Sequence, residues 1–78
     1  MAVTVLLFAS WADAFGPRVE LDLPAGSRVQ DVLDSLAARA ADRTLPVPMV
    51  AVNQRYARPE TPVAASDEVA IIPPVAGG

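Results

Sequence analysis

The sequence ends in a group that can take part in chemistry, the α-carboxylate of Gly78. A terminal carboxylate is ionised at neutral pH and is a poor electrophile until another enzyme activates it, for example as an acyl-adenylate. Gly77 precedes it, and two residues without Cβ atoms allow the backbone to enter a slot too narrow for any side chain. Pro73 and Pro74 stiffen the root of this tail because each ring fixes φ. The terminus therefore predicts an acyl group that is activated and then used inside a partner protein.

The composition leaves the side chains of this chain little catalytic chemistry. There is no Cys and no His among the 78 residues, so thiol chemistry, the usual general base and the commonest metal ligand are all missing. All six basic residues are Arg, they are scattered, and the formal net charge is −3, which does not favour a nucleic-acid partner. With 53% hydrophobic residues, the length supports one compact domain with a small core.

The apolar run at residues 3–9 is interpreted as a buried strand. No Lys or Arg precedes it, and the first basic residue is Arg18, whereas a signal peptide begins with a positively charged region. The run is also too short to span a membrane. We therefore expect a cytoplasmic protein with no membrane partner.

Hydrophobic patterning predicts four strands and at most one further, short edge strand. The strands are expected over residues 3–9, 18–23, 49–53 and 67–72, from apolar runs or from alternation with period two. Pro59 and Pro62 make residues 56–65 irregular, so this region is expected to add no more than a short edge strand.

Two helical segments are predicted between these strands. The longer one carries a continuous apolar stripe at helical spacing, which comprises Val29, Val32, Leu33, Leu36, Ala37 and Ala40. Ser27 followed by Gln30 fits a capping box at its start. The shorter segment spans residues 10–16, and Ser10 is expected to cap it.

This order of elements predicts an α+β fold. The first and last strands carry the longest apolar runs, which indicates that they lie side by side at the centre of the sheet. A mixed sheet packed on one main helix, with two hairpins gripping that helix, is the β-grasp (ubiquitin-like) arrangement. Residues 1–72 are expected to form this single domain, and residues 73–78 a flexible Gly-Gly tail.

Three segments carry a resemblance to a known family, and it covers the whole chain. These are the opening residues 5–16, the short motif Val52-Asn53-Gln54, and residues 67–78 with their Gly-Gly ending. They are similar to the MoaD/ThiS family of ubiquitin-like sulfur carriers, which includes the small subunit of molybdopterin synthase. The sequence departs from the family pattern in two surface turns: Ala12-Asp13 replaces an Arg-Glu pair, and Ala65-Ser66 replaces Asp-Gly.

The resemblance implies a sulfur carrier for molybdenum cofactor biosynthesis, with the active site on another subunit. An E1-like enzyme is expected to adenylate Gly78 with Mg-ATP, and a sulfurtransferase or other sulfur donor to convert it to a thiocarboxylate. The tail, threaded through Gly77, is then expected to enter the large subunit of a heterotetrameric molybdopterin synthase and to donate sulfur to cyclic pyranopterin monophosphate. In this scheme the chain itself binds no cofactor.

The resemblance also implies a partner interface on the exposed face of the sheet. It comprises Phe8, Tyr56 and Ile72, together with the tail residues Pro73, Pro74, Val75 and Ala76. Because side chains alternate along a strand, Phe8 and Leu7 should face opposite ways, as should Ile72 and Ile71. A register shifted by one residue would bury Phe8 and Ile72 instead.

Two alternatives stay open at this stage. One is a related carrier for thiamine, cysteine or another thiolated product, which shares the fold and the terminus. The other belongs to a different class, a ubiquitin-like modifier that conjugates Gly78 to lysines of other proteins. The sequence distinguishes the first alternative only through its opening segment and the Pro-Pro before the terminus, and it hardly distinguishes the second.

Overall fold

A computed structural model describes residues 1–40, 45 and 47–72 of the chain. These residues form five strands and two helices. In chain order the elements are β1 (Ala2–Leu7), α1 (Ala9–Phe15), β2 (Arg18–Asp22), α2 (Val29–Ala40), β3 (Met49–Val52), β4 (Arg55–Ala57) and β5 (Glu68–Ile72). The predicted tail at residues 73–78 lies outside the described residues, so its flexibility stays a prediction.

The strands form one mixed sheet in the order β2-β1-β5-β3-β4. β1 and β5 pair in parallel, and the remaining neighbours pair antiparallel. The predicted adjacency of the first and last strands is therefore confirmed, and so is the α+β architecture. The predicted short addition is the edge strand β4, which has three residues.

The hydrophobic core lies between one face of the sheet and α2. Alternation along β1 and β5 directs every second side chain into it, and α2 adds Val29, Val32 and Leu36. The predicted stripe on α2 is wider than the buried one, because Ala37 is exposed and Leu33 is only half-buried. No pattern predicted the core residue Val63, which lies in the irregular segment after β4 and donates its N–H to the Ser27 carbonyl.

The start of α2 differs from the predicted capping box. Ser27 is buried, and its hydroxyl donates to the Pro24 carbonyl at 2.7 Å rather than capping the helix. The side chain that caps the first turn belongs to Asp31, whose carboxylate accepts the N–H of Arg28 at 2.7 Å. The N–H groups of Val29 and Gln30 have no partner within the helix, and they donate to carbonyls of the segment after β4. This loop therefore completes the hydrogen bonding of the helix N-terminus.

The junction between β1 and α1 also differs from the prediction. The strand ends at Leu7 because Ala9 adopts a left-handed φ of 53° and begins the helix. Phe8 occupies the N-cap position with no side-chain cap, so the predicted role of Ser10 was wrong. This earlier turn places Trp11 in the core.

Among the described residues, no helix is both long and apolar enough to cross a membrane.

Candidate functional site

The face of the sheet opposite α2 carries a shallow apolar cavity of about 300 Å³. Six apolar side chains line it, and we refer to them as the apolar patch: Leu6, Phe8, Ala51, Tyr56, Ala70 and Ile72. Two polar residues, Gln54 and Glu68, line its border. All three side chains that sequence analysis assigned to this face within residues 1–72 are therefore brought together.

Strand register builds the patch as a row across four strands. Leu6 pairs with Ala70 between β1 and β5, Ala70 pairs with Ala51 between β5 and β3, and Ala51 pairs with Tyr56 between β3 and β4. Directly paired residues lie side by side on one face of a sheet. The two alanines are small, so the row is hollow in its middle and raised at Leu6 and Tyr56.

Alternation decides which apolar side chains reach this face. Leu7 and Ile71 are almost fully buried in the core, whereas Phe8 is 48% exposed and Ile72 is half-buried. Phe8 follows the last residue of β1 but keeps an extended backbone, with φ −134° and ψ 153°, so the alternation continues through it. The predicted facing of Phe8 and Ile72 agrees with the structure, and their role in partner binding stays a prediction.

Sequence analysis missed three members of the patch, namely Leu6, Ala51 and Ala70. Leu6 and Ala70 each precede an assigned residue by two positions, Phe8 and Ile72, so strand periodicity could have found them. Ala51 could not be found this way, because its place depends on pairing with two other strands.

A turn fixes the polar border of the patch. Asn53 and Gln54 connect β3 to β4 with positive φ values of 53° and 69°, as a two-residue hairpin turn of type I′ requires. Asn53 also bridges to the start of β5: its Nδ2 donates to Asp67 Oδ1 at 3.0 Å, and its Oδ1 accepts the N–H of Glu68 at 3.0 Å. The Asn53 N–H donates to the Glu68 carbonyl at 2.8 Å. The structural role of the motif at residues 52–54 is therefore to form this turn and to join it to the start of β5.

This bridge perturbs one titratable group. The hydrogen bond from the Asn53 side chain, together with one from the Ala64 N–H, holds the pKa of Asp67 below its ordinary value. Both bonds favour the ionised carboxylate. Asp67 therefore serves to fix the turn that precedes β5.

The described residues contain little else that could do chemistry. No group of three or more acidic residues that could hold a metal ion occurs in the part of the chain that the structure describes. Gly77, Gly78 and the tail residues Pro73, Pro74, Val75 and Ala76 lie outside it. The described chain ends at Ile72, whose side chain lines the cavity, so the tail begins at the edge of the apolar patch.

Comparison with known proteins identifies the family. Residues 5–78 match the model of the ThiS family, and the chain therefore belongs to the ThiS family. The predicted family resemblance is thereby confirmed.

Two similar proteins carry the name molybdopterin synthase sulfur carrier subunit. The one from Arabidopsis thaliana is 35% identical over 79 residues, covering 97% of this chain and 82% of that protein. The one from Chlamydomonas reinhardtii is 36% identical over 83 residues and covers both chains in full. The chain is thus homologous to sulfur carrier subunits over its entire length.

A solved structure confirms the fold. The crystal structure of the small archaeal modifier protein 1 of Haloferax volcanii superposes with a TM-score of 0.79 at 28% identity, covering 95% of this chain and 98% of that one. The predicted ubiquitin-like β-grasp fold is therefore confirmed.

Proposed function

We propose that this protein is a sulfur carrier for molybdenum cofactor biosynthesis, acting as the small subunit of a molybdopterin synthase. The observation that carries the proposal is its homology, over the whole chain, to two molybdopterin synthase sulfur carrier subunits. The family match also extends through the Gly77-Gly78 ending, which supplies the group that such a carrier needs.

The proposed chemistry takes place at the Gly78 carboxylate. In the first step, a carboxylate oxygen attacks the α-phosphorus of Mg-ATP on an E1-like enzyme, and pyrophosphate leaves. In the second, hydrosulfide released by a sulfurtransferase or other donor attacks the acyl carbon, and AMP leaves. A C–S bond thus replaces the C–O bond to AMP, and the chain departs with a terminal thiocarboxylate.

Sulfur is then delivered inside the large subunit of the synthase. The thiocarboxylate enters the active site there and donates sulfur to cyclic pyranopterin monophosphate, and two deliveries complete a dithiolene. This chain supplies reach and recognition, while the acids and bases come from the large subunit. The absence of His and Cys from the sequence is compatible with that division.

The apolar patch is the proposed contact with the large subunit. Exposed apolar patches rimmed by polar residues often mark protein–protein interaction sites, and aromatic residues are enriched at the energetic centres of interfaces. Phe8 is 48% and Tyr56 69% exposed although both are large and aromatic. The patch also adjoins the point where the tail leaves β5, so docking there places the tail near the partner.

The mass of the intact protein, purified from its own cells, tests the proposal. A thiocarboxylate increases the mass by the difference between sulfur and oxygen, and alkylation by iodoacetamide should label only that species, since the chain has no Cys. Cells that carry the chain without Gly78 should lack molybdopterin. A normal molybdopterin level in those cells would contradict the proposal.

A protein modifier is the second candidate function. It is favoured by the similarity to the small archaeal modifier protein 1 over 95% of this chain. A modifier uses the same activated terminus but forms an isopeptide bond with a lysine of another protein. Ladders of heavier conjugates that disappear when Gly78 is deleted would support this function. A carrier for thiamine, cysteine or another thiolated product is distinguished from a molybdopterin carrier by measuring which thiolated product is lost when Gly78 is deleted.

A further inference from the structure

We propose that Glu68 and Gln54 form an acceptor site for an arginine side chain of the large synthase subunit. This inference rests on the proposed function, because it assigns the polar border of the docking face that the apolar patch occupies. It adds a charge requirement to an interface otherwise described by its apolar residues alone.

Glu68 lies on the same face of β5 as the apolar patch. It precedes Ala70 by two residues and Ile72 by four, so all three side chains share one face of the strand. Its neighbour on β1 is Thr4, one row beyond Leu6. Glu68 and Gln54 are both exposed and line the same cavity as Phe8 and Ile72.

The carboxylate of Glu68 is unpaired within the described part of the chain. The ion pairs found there join the N-terminus to Asp22 at 3.3 Å and Arg18 to Glu20 at 3.9 Å. Both ion pairs involve residues of β2, which is separated from β5 by β1. Glu68 is thus a charged group on the border of an apolar cavity, with no cation among the described residues to neutralise it.

The backbone beneath both side chains is held in place. Both the N–H and the carbonyl of Glu68 are hydrogen-bonded to Asn53. Gln54 follows Asn53 in the tight turn. Because the backbone is already fixed, a partner that binds here orders only two side chains, which lowers the entropy lost on association.

The acceptor set favours a guanidinium over an ammonium. A carboxylate accepts two parallel N–H groups from an arginine, and the side-chain carbonyl of Gln54 can accept a third. Arginine is also less strongly hydrated than lysine and stacks on aromatic rings, and Tyr56 lies in the same cavity. An arginine next to an apolar projection of the large subunit therefore fits this surface.

Glu68→Gln provides the test, because it removes the charge and keeps the size. Its affinity for the large subunit, measured by calorimetry at low and high salt, should fall about 10-fold at low salt, because hydrogen bonds to an ionised carboxylate are stronger than those to a neutral amide. Its affinity should also depend less on salt than that of the unmodified chain. Gln54→Ala should give a smaller loss.

Glu60→Gln is the matched control. Glu60 is exposed, lies in the loop next to the start of α2, and does not line the cavity. Glu60→Gln removes the same formal charge as Glu68→Gln, so the affinity of Glu60→Gln for the large subunit should stay close to that of the unmodified chain. Thermal unfolding of each variant checks that the fold is retained.

The outcomes separate this inference from the proposed function. If Glu68→Gln binds with the affinity and salt dependence of Glu60→Gln, the arginine site is overturned, while a loss on Phe8→Ala would still support docking through the apolar patch. If the unmodified chain does not bind the large subunit at all, the proposed function fails and this inference fails with it.

Discussion

Asn53 does more at the scale of single residues than its exposed position suggests. It occupies a left-handed turn position that asparagine tolerates better than most residues, and its amide joins the β3–β4 turn to the start of β5 through Asp67 and Glu68. The turn between β3 and the edge strand β4 is thereby tied to β5, the strand at the centre of the sheet.

Replacing Asn53 by alanine should destabilise the fold by about 1–2 kcal/mol, because two side-chain hydrogen bonds are lost and alanine is less favourable at positive φ. Chemical denaturation measures the change. Gln54→Gly is the matched comparison, since it places glycine at φ 69°. It should raise the free energy of unfolding by about 1 kcal/mol or less, because glycine relieves about 1–2 kcal/mol of left-handed strain but loses about 0.5–1 kcal/mol more in chain entropy. Equal stability of Asn53→Ala and the unmodified chain would contradict the bridging role.

The Asp67 carboxylate should titrate below its ordinary range, because Asn53 and the Ala64 N–H bind its ionised form. Its folded-state pKa is lower than its unfolded-state pKa, so its stabilising contribution is complete above the unfolded-state value and is lost as the pH falls through the folded-state value. A carbon-detected NMR titration measures the midpoint. Asn53→Ala should move that midpoint upward, and an unchanged midpoint would contradict the assigned cause.

The two faces of the sheet have different roles, one in folding and one in docking. β1 and β5 direct alternate side chains to α2 on one side and to the apolar patch on the other. The same two strands therefore support folding with one set of residues and offer a docking surface with the next. Because the two sets face opposite ways, substitutions should separate stability from binding.

Phe8→Ala and Ile72→Ala should each weaken binding to the large subunit by about 2 kcal/mol, roughly 30-fold, as is typical of interface anchors. Leu36→Ala should instead destabilise the fold by about 2–5 kcal/mol, because Leu36 is fully buried on α2 and its loss leaves a cavity. Calorimetry and thermal unfolding measure the two effects. Equal loss of stability in both sets, with binding lost only through unfolding, would reject the apolar patch as the contact.

The whole molecule is a small domain whose central strand leads directly into the proposed working group. β5 is paired on both sides, with β1 and β3, so the base of the tail is anchored in the middle of the sheet. The distance from the apolar patch to the terminal carboxylate is then set by the number of residues after Ile72.

Deleting Gly78, or adding one residue after it, should abolish sulfur transfer and leave the fold and most of the partner affinity intact. One extended residue moves the carboxylate by about 3.3–3.6 Å, and a misplacement of about 1 Å at a reacting centre can lower the rate about 100-fold. Thiocarboxylate yield and molybdopterin formation measure the effect. Gly77→Val should act similarly through its side chain, whereas Glu60→Gln serves as a control, because Glu60 lies outside both the tail and the cavity.

Local patterns in the sequence predicted the order of the elements and the alternation along the central strands. Strand alternation predicted that Phe8 and Leu7 face opposite ways, as do Ile72 and Ile71, because that periodicity is local and depends only on an extended backbone. The family resemblance selected Phe8 and Ile72 for the exposed face. The family resemblance followed from the same kind of local information, since it rests on short contiguous motifs and on the Gly-Gly ending.

Contacts between residues far apart in the chain became visible only in the folded structure. Ala51 joins the apolar patch through strand pairing, and Val63 enters the core from a loop that has no periodic pattern. The capping of α2 was mispredicted for the same reason: a remote loop satisfies its first N–H groups, and the Ser27 hydroxyl donates to the Pro24 carbonyl instead. Such contacts join residues far apart in the chain, so their free energy depends on the whole packed fold and leaves no pattern in any short stretch of sequence.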